Sequence, residues 1–343
     1  MNTLVTILLT VFVFGFLIFV HEFGHYIFAR IFKVAINEFA IGMGPKIFSR
    51  QSKKTGIVYS IRLFPIGGFV SMVGEDGDCE IEGALSSKPK WQRFIVLFAG
   101  AFVNLVFGFI FMACYVISSP ALGSTVVADF SDDALSVVDG LQAEDEIVSV
   151  NGDRVHILYE LSYAISDLGG ESADIEVIRD GERITLSDVD FPTQELSGVT
   201  FSDMDFRVYA VEKSIGNICY HAYYQSISSV KMVWDSLIGI ISGRYGVEAV
   251  SGPVGTADVI GDAASAGFSS FMMLFSILAI NLGIMNLLPI PALDGGRILF
   301  LLIEAVRRKP IKAEIEGVIN FVCIMLLFGF MLFITVKDII GLF

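Results

Sequence analysis

The sequence predicts a polytopic α-helical membrane protein with four transmembrane helices and one soluble, acidic domain between the second and third. Three observations carry that prediction. The 343 residues are 54% hydrophobic and include 30 Phe, with a mean hydropathy of +0.69, which excludes an ordinary soluble protein. Apolar runs at roughly 4–30, 93–117, 269–290 and 317–336 each approach the ~20 residues needed to cross a bilayer. Charge is segregated: Ser118 to Lys213 holds 21 Asp and Glu against 5 Lys and Arg, a larger surplus than the net −14 of the whole chain.

The first element, residues 1–32, carries no charge from Leu4 to Val20 and then reads His21-Glu22-Phe23-Gly24-His25. Three ionisable side chains within five residues are costly at membrane depth and mark a functional site. Helical residues four apart share a face, so His21 and His25 can grip one Zn2+ while Glu22 reaches a water on it. The bland alternative is a helix end with two unrelated histidines. The chain has only four His, and two of them fall here. The run has neither the basic leader nor the cleavage site of a signal peptide and is expected to be retained.

Residues 33–92 form a loop before the second span, 93–117. Arg30 to Arg93 holds ten basic residues, among them Lys46, Arg50, Lys53, Lys54, Lys88 and Lys90, and a second basic cluster, Arg297, Arg307, Arg308, Lys309 and Lys312, follows the third span. The positive-inside rule places both loops in the cytoplasm and the acidic domain and both termini outside. Gly56 to Phe64 and Pro65 to Val73 alternate in the strand period around Gly67-Gly68 and predict a hairpin or looped sheet.

Residues 118–213 form the acidic domain, with a turn predicted at Asn151-Gly152. Residues 214–268 are expected to hold an interfacial helix rich in Tyr220, Tyr223, Tyr224 and Trp234, followed by a linker. His156 and His221 read as surface or packing histidines without a spaced carboxylate partner. The scattered Cys79, Cys114, Cys219 and Cys323 read as isolated core thiols rather than a disulfide framework.

The third span, 269–305, contains Asn286-Leu-Leu-Pro-Ile-Pro-Ala-Leu-Asp294-Gly-Gly. Its two prolines break a helix, which is tolerated at membrane depth only where the freed backbone is buried or lines a cavity. A carboxylate ending such a break suits the third ligand that a catalytic zinc wants. Both Leu4 to His21 and Phe271 to Asp294 enter from outside and end at similar depth at ~1.5 Å per residue. A helix-capping carboxylate is the alternative for Asp294. Residues 306–343 hold a cytoplasmic loop and the fourth span.

The HEFGH block, the run from Asn281 through Asp294-Gly-Gly, and Ser251-Gly-Pro-Val-Gly255 resemble the bacterial site-2 protease family, close to the regulator of sigma-E protease group, over almost the whole chain. The resemblance implies an intramembrane zinc metalloprotease of a bacterial cytoplasmic membrane. It implies His21, His25 and Asp294 as ligands, Glu22 as general base, and Asn286 as partner of the substrate backbone or the developing oxyanion. It further implies that 33–92 is a cytoplasmic-side membrane-reentrant β-loop, with Gly67 and Gly68 in the part that receives an extended substrate by strand addition. The stretch Asp139 to Val155 resembles the core of a PDZ domain, with Glu144 where the pattern has Gly; peptide binding and steric exclusion are both open roles for this one extracytoplasmic copy. Expected substrates are single-span membrane proteins, such as anti-sigma factors, or remnant signal peptides. Membrane lipid is an expected partner and nucleic acid is not. The alternatives are a noncatalytic scaffold, against which the complete His21, Glu22, His25 and Asp294 set argues, and a transporter, which would call for a repeat of the broken-helix block.

Overall fold

The computed structural model describes residues 2–75, 81–196, 199–244, 246, 250–309 and 311–340; Cys79 lies outside them. The chain divides into two compact units, Met1–Ile110 with Val250–Phe343, and Phe111–Ala249.

In the first unit, helix α1 (Thr3–Ile31) is capped by Asn2, whose side chain accepts from the Leu4 N–H. Its buried residues Val13, Leu17, Val20, His21, Gly24 and His25 recur at helical spacing and form one stripe. Among the described residues, four helices are long and apolar enough to cross a membrane: α1, α2 (Lys90–Ser118), Phe268–Leu287 and Ala313–Ile340. The protein is therefore a polytopic membrane protein.

Between α1 and α2 lie strands β1 (Ile36–Gln51) and β2 (Val58–Met72), paired antiparallel with repeated register shifts. The first half of β1 has partners on both sides, so Ile41 faces both Gly68 and Ile61. This leaves 68–72 at one edge of the folded-over sheet. Glu38 ties the sheet together, accepting from Lys46, Ser60 and Arg62. Burial pushes its carboxyl up, but these hydrogen bonds prevail and hold it down to about 2. Met43, Ile47, Phe48, Leu63 and Phe64 are exposed apolar side chains of this sheet.

The second unit is built on a sheet of β3 (Leu122–Phe130), β4 (Glu146–Val150), β5 (Asp153–Arg154), β6 (Ala173–Arg179), β7 (Glu182–Val189) and β10 (Phe206–Val211), with main order β10-β3-β4-β6-β7. A separate pair, β8 (Thr193–Leu196) and β9 (Val199–Ser202), completes the strands. The turn expected at Asn151-Gly152 joins β4 to β5, with positive φ at both residues. Glu144, at φ 71°, occupies a backbone conformation that favours glycine, and its carboxylate accepts the Tyr209 hydroxyl at 2.5 Å. Asp145 is fully buried and accepts from Arg179 through both oxygens at 2.7 Å.

Helices α3 (Leu158–Ser166) and α4 (Ile215–Ser242) belong to this unit, and here two expectations need correction. His156 does have a carboxylate partner: its Nδ1 lies 2.9 Å from Glu160, four residues on, and its ring stacks on Tyr224 at 4.0 Å. The three described cysteines are not core thiols, since Cys219 is exposed and Cys114 and Cys323 are half-buried.

The segment after α4 holds a further helix, α5 (Pro253–Ala266), where a linker was expected. Pro253 suits its first turn. Its N-terminal amides are capped from a distance: Asp338 accepts from Gly252 at 2.9 Å and Gly255 at 3.0 Å. Helix α6 (Phe268–Leu287) stops short of the prolines, and α7 (Asp294–Arg307) is separate, so 269–305 is two helices around a break. Leu288, before Pro289, takes extended backbone (φ −61°, ψ 142°), as the proline ring requires. In the break, the Ala292 N–H finds Asn320 of α8 (Ala313–Ile340) at 3.1 Å. A Cβ at Gly295 would stand 2.2 Å from the Leu288 oxygen, and one at Gly296 2.4 Å from that of Ile290. The two glycines thus let the first turn of α7 lie against the break and fix where Asp294 points.

Candidate metal centre

Three buried or nearly buried side chains from two distant segments converge. Asp294 Oδ2 lies 3.0 Å from His21 Nε2 and 3.1 Å from His25 Nε2, and the two Nε2 atoms are 3.2 Å apart. A helix turn sets the histidine spacing, and the α6–α7 break delivers the carboxylate.

Protonation at this triangle follows from the outer partners. His25 Nδ1 is 2.8 Å from the Val96 carbonyl, which can only accept, so Nδ1 carries a proton and the neutral ring offers its lone pair at Nε2. Asp294 Oδ2 is buried with no hydrogen-bond donor among the described residues. With both rings neutral, acceptors meet acceptors at about 3 Å, an arrangement that repels itself unless a cation, a metal ion or a proton, sits among them. Tetrahedral zinc with ligands at 2.0–2.1 Å spaces them about 3.3 Å apart. The donor set and its spacing therefore fit zinc, and three protein ligands leave a fourth position open.

Asn104, fully buried on α2, places its side-chain nitrogen 3.3 Å from His21 Nδ1, and its Oδ1 has no partner among the described residues. A half-turn of the amide gives Oδ1 the Nδ1–H that ligation through Nε2 leaves on the ring. Gly100, one turn earlier, makes room for both imidazoles: a Cβ there would stand 2.3 Å from His25 Nε2 and 2.8 Å from His21 Cε1.

The triangle opens onto a cavity of about 200 Å³ lined by His21, Glu22, His25, Phe69, Val70, Met72, Glu75, Leu97, Ala292, Asp294 and Arg297. Glu22 accepts the Val70 N–H at 3.1 Å. Glu75 accepts the Met72 N–H at 3.1 Å and is ion-paired with Arg297. Residues two apart in a strand point their amides the same way, so the β2 edge facing the cavity is capped by two carboxylates. The expected glycines flank this edge. Gly68 packs so that a Cβ would lie 2.9 Å from the Ala40 oxygen and 3.5 Å from Glu22 Cγ, and Gly67 is at φ +91° beside Met43. Asn286 donates its amide to the Leu282 oxygen at 2.9 Å, within its own helix, and is not among the lining residues.

The sequence reading missed Asn104, Gly100, Glu75 and Arg297. A signal existed for two of them. Asn104 is the one amide in the apolar run 94–117, and Arg297 follows Asp294 at the i, i+3 spacing that shares a helix face. For Glu75 only the register of the sheet could have told.

Paired histidines and a carboxylate at the ends of apolar helices, beside a carboxylate base and a strand edge, define a metal-centred membrane hydrolase. The model of peptidase family M50 matches residues 9–330, and the chain belongs to that family. It is 35% identical to a Fusobacterium nucleatum protein whose name describes a zinc metalloprotease, over 98% of this chain and 99% of the relative. It is 30% identical to the zinc metalloprotease RasP of Shouchella clausii over the full length of both, and 28% identical to the regulator of sigma-W protease RasP of Bacillus subtilis over 98% and 99%.

Proposed function

We propose that the protein is an intramembrane zinc metalloprotease that cuts peptide bonds within the transmembrane segments of single-span membrane proteins. In this reading His21, His25 and Asp294 hold the metal and Glu22 is the general base. The observation that carries it is the triangle of lone-pair atoms at 3.0–3.2 Å beside Glu22. A noncatalytic scaffold has no use for three acceptors crowded together at such cost.

Zinc, when bound, acidifies a water and polarises the scissile carbonyl. The chain's own residues do the rest. The Val70 N–H holds Glu22 at the cavity wall, from which it can accept the water's proton as the oxygen adds to the carbonyl carbon. The same carboxyl then passes that proton to the nitrogen as the C–N bond breaks. No covalent enzyme intermediate is required. A helical substrate shields its peptide bonds, so the segment must unwind first, and helix-breaking residues in the substrate favour cleavage. An unwound strand can pair with edge 68–72, with Gly67 and Gly68 at the start of that edge.

The β1–β2 sheet is proposed as the membrane-reentrant loop, its exposed apolar tip entering lipid on the cytoplasmic side, and the acidic unit as one PDZ-like domain outside. Strand β3 has β10 on one edge and meets β4 through one residue pair on the other, so a peptide would have to add at an outer strand, β10 or β7, and a steric role is the one this reading favours. Anti-sigma factors and remnant signal peptides are the substrate classes this reading favours.

The test compares cleavage of a single-span substrate by the parent, Glu22→Gln, and chelator-treated protein. Loss of cutting in both treatments, zinc restoring only the parent, is expected. Undiminished cutting by Glu22→Gln refutes the base assignment.

A further inference from the structure

Resting on the protease reading above, we propose that Arg297 is a further catalytic residue: its guanidinium receives the negative charge that develops on the scissile carbonyl oxygen. The lining of the cavity leads there. His21, His25 and Asp294 are committed to the metal and Glu22 to the proton, while Phe69, Val70, Met72, Leu97 and Ala292 bring apolar side chains. Glu75 and Arg297 remain, and Arg297 is the only cationic side chain lining the cavity among the described residues. Asn286, the sequence-based choice for this role, bonds its own helix instead.

The charges lining the cavity accommodate such a group. The cavity holds three carboxylates, Glu22, Glu75 and Asp294. When water adds to the carbonyl carbon, Glu22 is neutralised by the proton and the π pair moves onto the carbonyl oxygen. That oxyanion forms beside two remaining carboxylates. Zinc's two charges offset the oxyanion and Asp294, Glu75 is left in surplus, and Arg297 offsets it while standing beside the forming oxyanion, in a low-dielectric site where imbalance is costly.

The geometry is prepared for it. Arg297 lies three residues after Asp294 on α7, so the metal ligand and the guanidinium share a helix face. Glu75, held by the Met72 N–H, pairs with Arg297 and fixes the guanidinium against the β2 edge. A guanidinium has five donors in a planar fork and can keep a carboxylate while serving a second oxygen.

The test uses the full-length enzyme in proteoliposomes, a fluorogenic single-span substrate, and a phosphonamidate peptide whose tetrahedral anionic phosphorus copies the charged addition product. Arg297→Met is expected to lower kcat about 100- to 1,000-fold, with KM changed less than about threefold and zinc content kept. Its phosphonamidate affinity should fall by the same factor as kcat/KM. Glu75→Gln, which keeps the guanidinium, should lose no more than about tenfold. Arg297→Lys is the variant to read if Arg297→Met does not accumulate. It keeps the charge without the fork and should lose about tenfold in both kcat and phosphonamidate affinity. Equal losses in Glu75→Gln and Arg297→Met, or a loss confined to KM or zinc content, would make Arg297 a strut for β2 and overturn the assignment. Unchanged phosphonamidate binding in either Arg297 variant would do the same. Cleavage surviving Glu22→Gln would instead defeat the underlying protease mechanism, which no Arg297 measurement can imitate.

Discussion

Each histidine of the proposed centre is oriented through its second nitrogen, and the two are served differently. His25 leans on a backbone carbonyl, that of Val96, which no side-chain change removes. His21 leans on Asn104, a side chain buried in an otherwise apolar helix. The asymmetry makes Asn104 the residue through which the metal site can be loosened without touching a ligand. Outer-shell partners of this kind set ring orientation and ligand basicity. Asn104→Ala should weaken zinc binding about 10- to 100-fold, measured by competition with a chelator of known affinity, and added zinc should restore activity. Activity that stays lost at saturating zinc would mean that Asn104 acts on the substrate or the fold instead.

At the scale of elements, the site exists because α2 passes close enough to α1 to touch both imidazoles, and Gly100 is what allows that approach. A methyl there would overlap His25 Nε2, and helices in lipid meet through just such small residues. Gly100→Ala should therefore push the histidines off line and cost about 100-fold in activity, the price of a misplacement near 1 Å. Zinc content should fall in the same variant while the protein still accumulates in membranes; parent-level zinc and activity would show that α2 simply steps aside. The same scale shows what could be read in advance. The i, i+4 histidines and the proline break before Asp294 were legible because each follows from local backbone rules: one helix turn, and two residues that cannot donate. The sheet that walls the cavity was legible only as strands. Which edge of β2 faces the metal depends on the folded-over register that sets Ile41 between Gly68 and Ile61, and alternation along a chain carries no information about that. Helix α5 was missed because its start is capped by Asp338, some eighty residues away, and no local pattern announces such a cap.

Across the whole molecule, a strongly acidic unit is inserted between helices of a chain whose remaining loops are basic. Its sheet sets β3 between β10 and β4, the latter met through one residue pair, and Glu144 stands, at positive φ, where a PDZ pattern has glycine. Both features weigh against recognition of a peptide by strand addition to β3, which needs an unpaired edge. A folded unit that binds no tail can still select substrates, by excluding those whose outer portions are too large. The two roles separate cleanly when the enzyme is left unaltered and the substrate is varied. One transmembrane segment is given either a short outer tail or folded domains of increasing size, and cleavage is followed in proteoliposomes. Exclusion predicts rapid cutting of the short form, a steep fall once the tail is a folded domain, and recovery when that domain is clipped away before the assay. It also predicts that excess free peptides with apolar carboxyl termini leave the rate unchanged, whereas competition by such peptides, or indifference to the size of the outer portion, would return the acidic unit to a peptide-binding role.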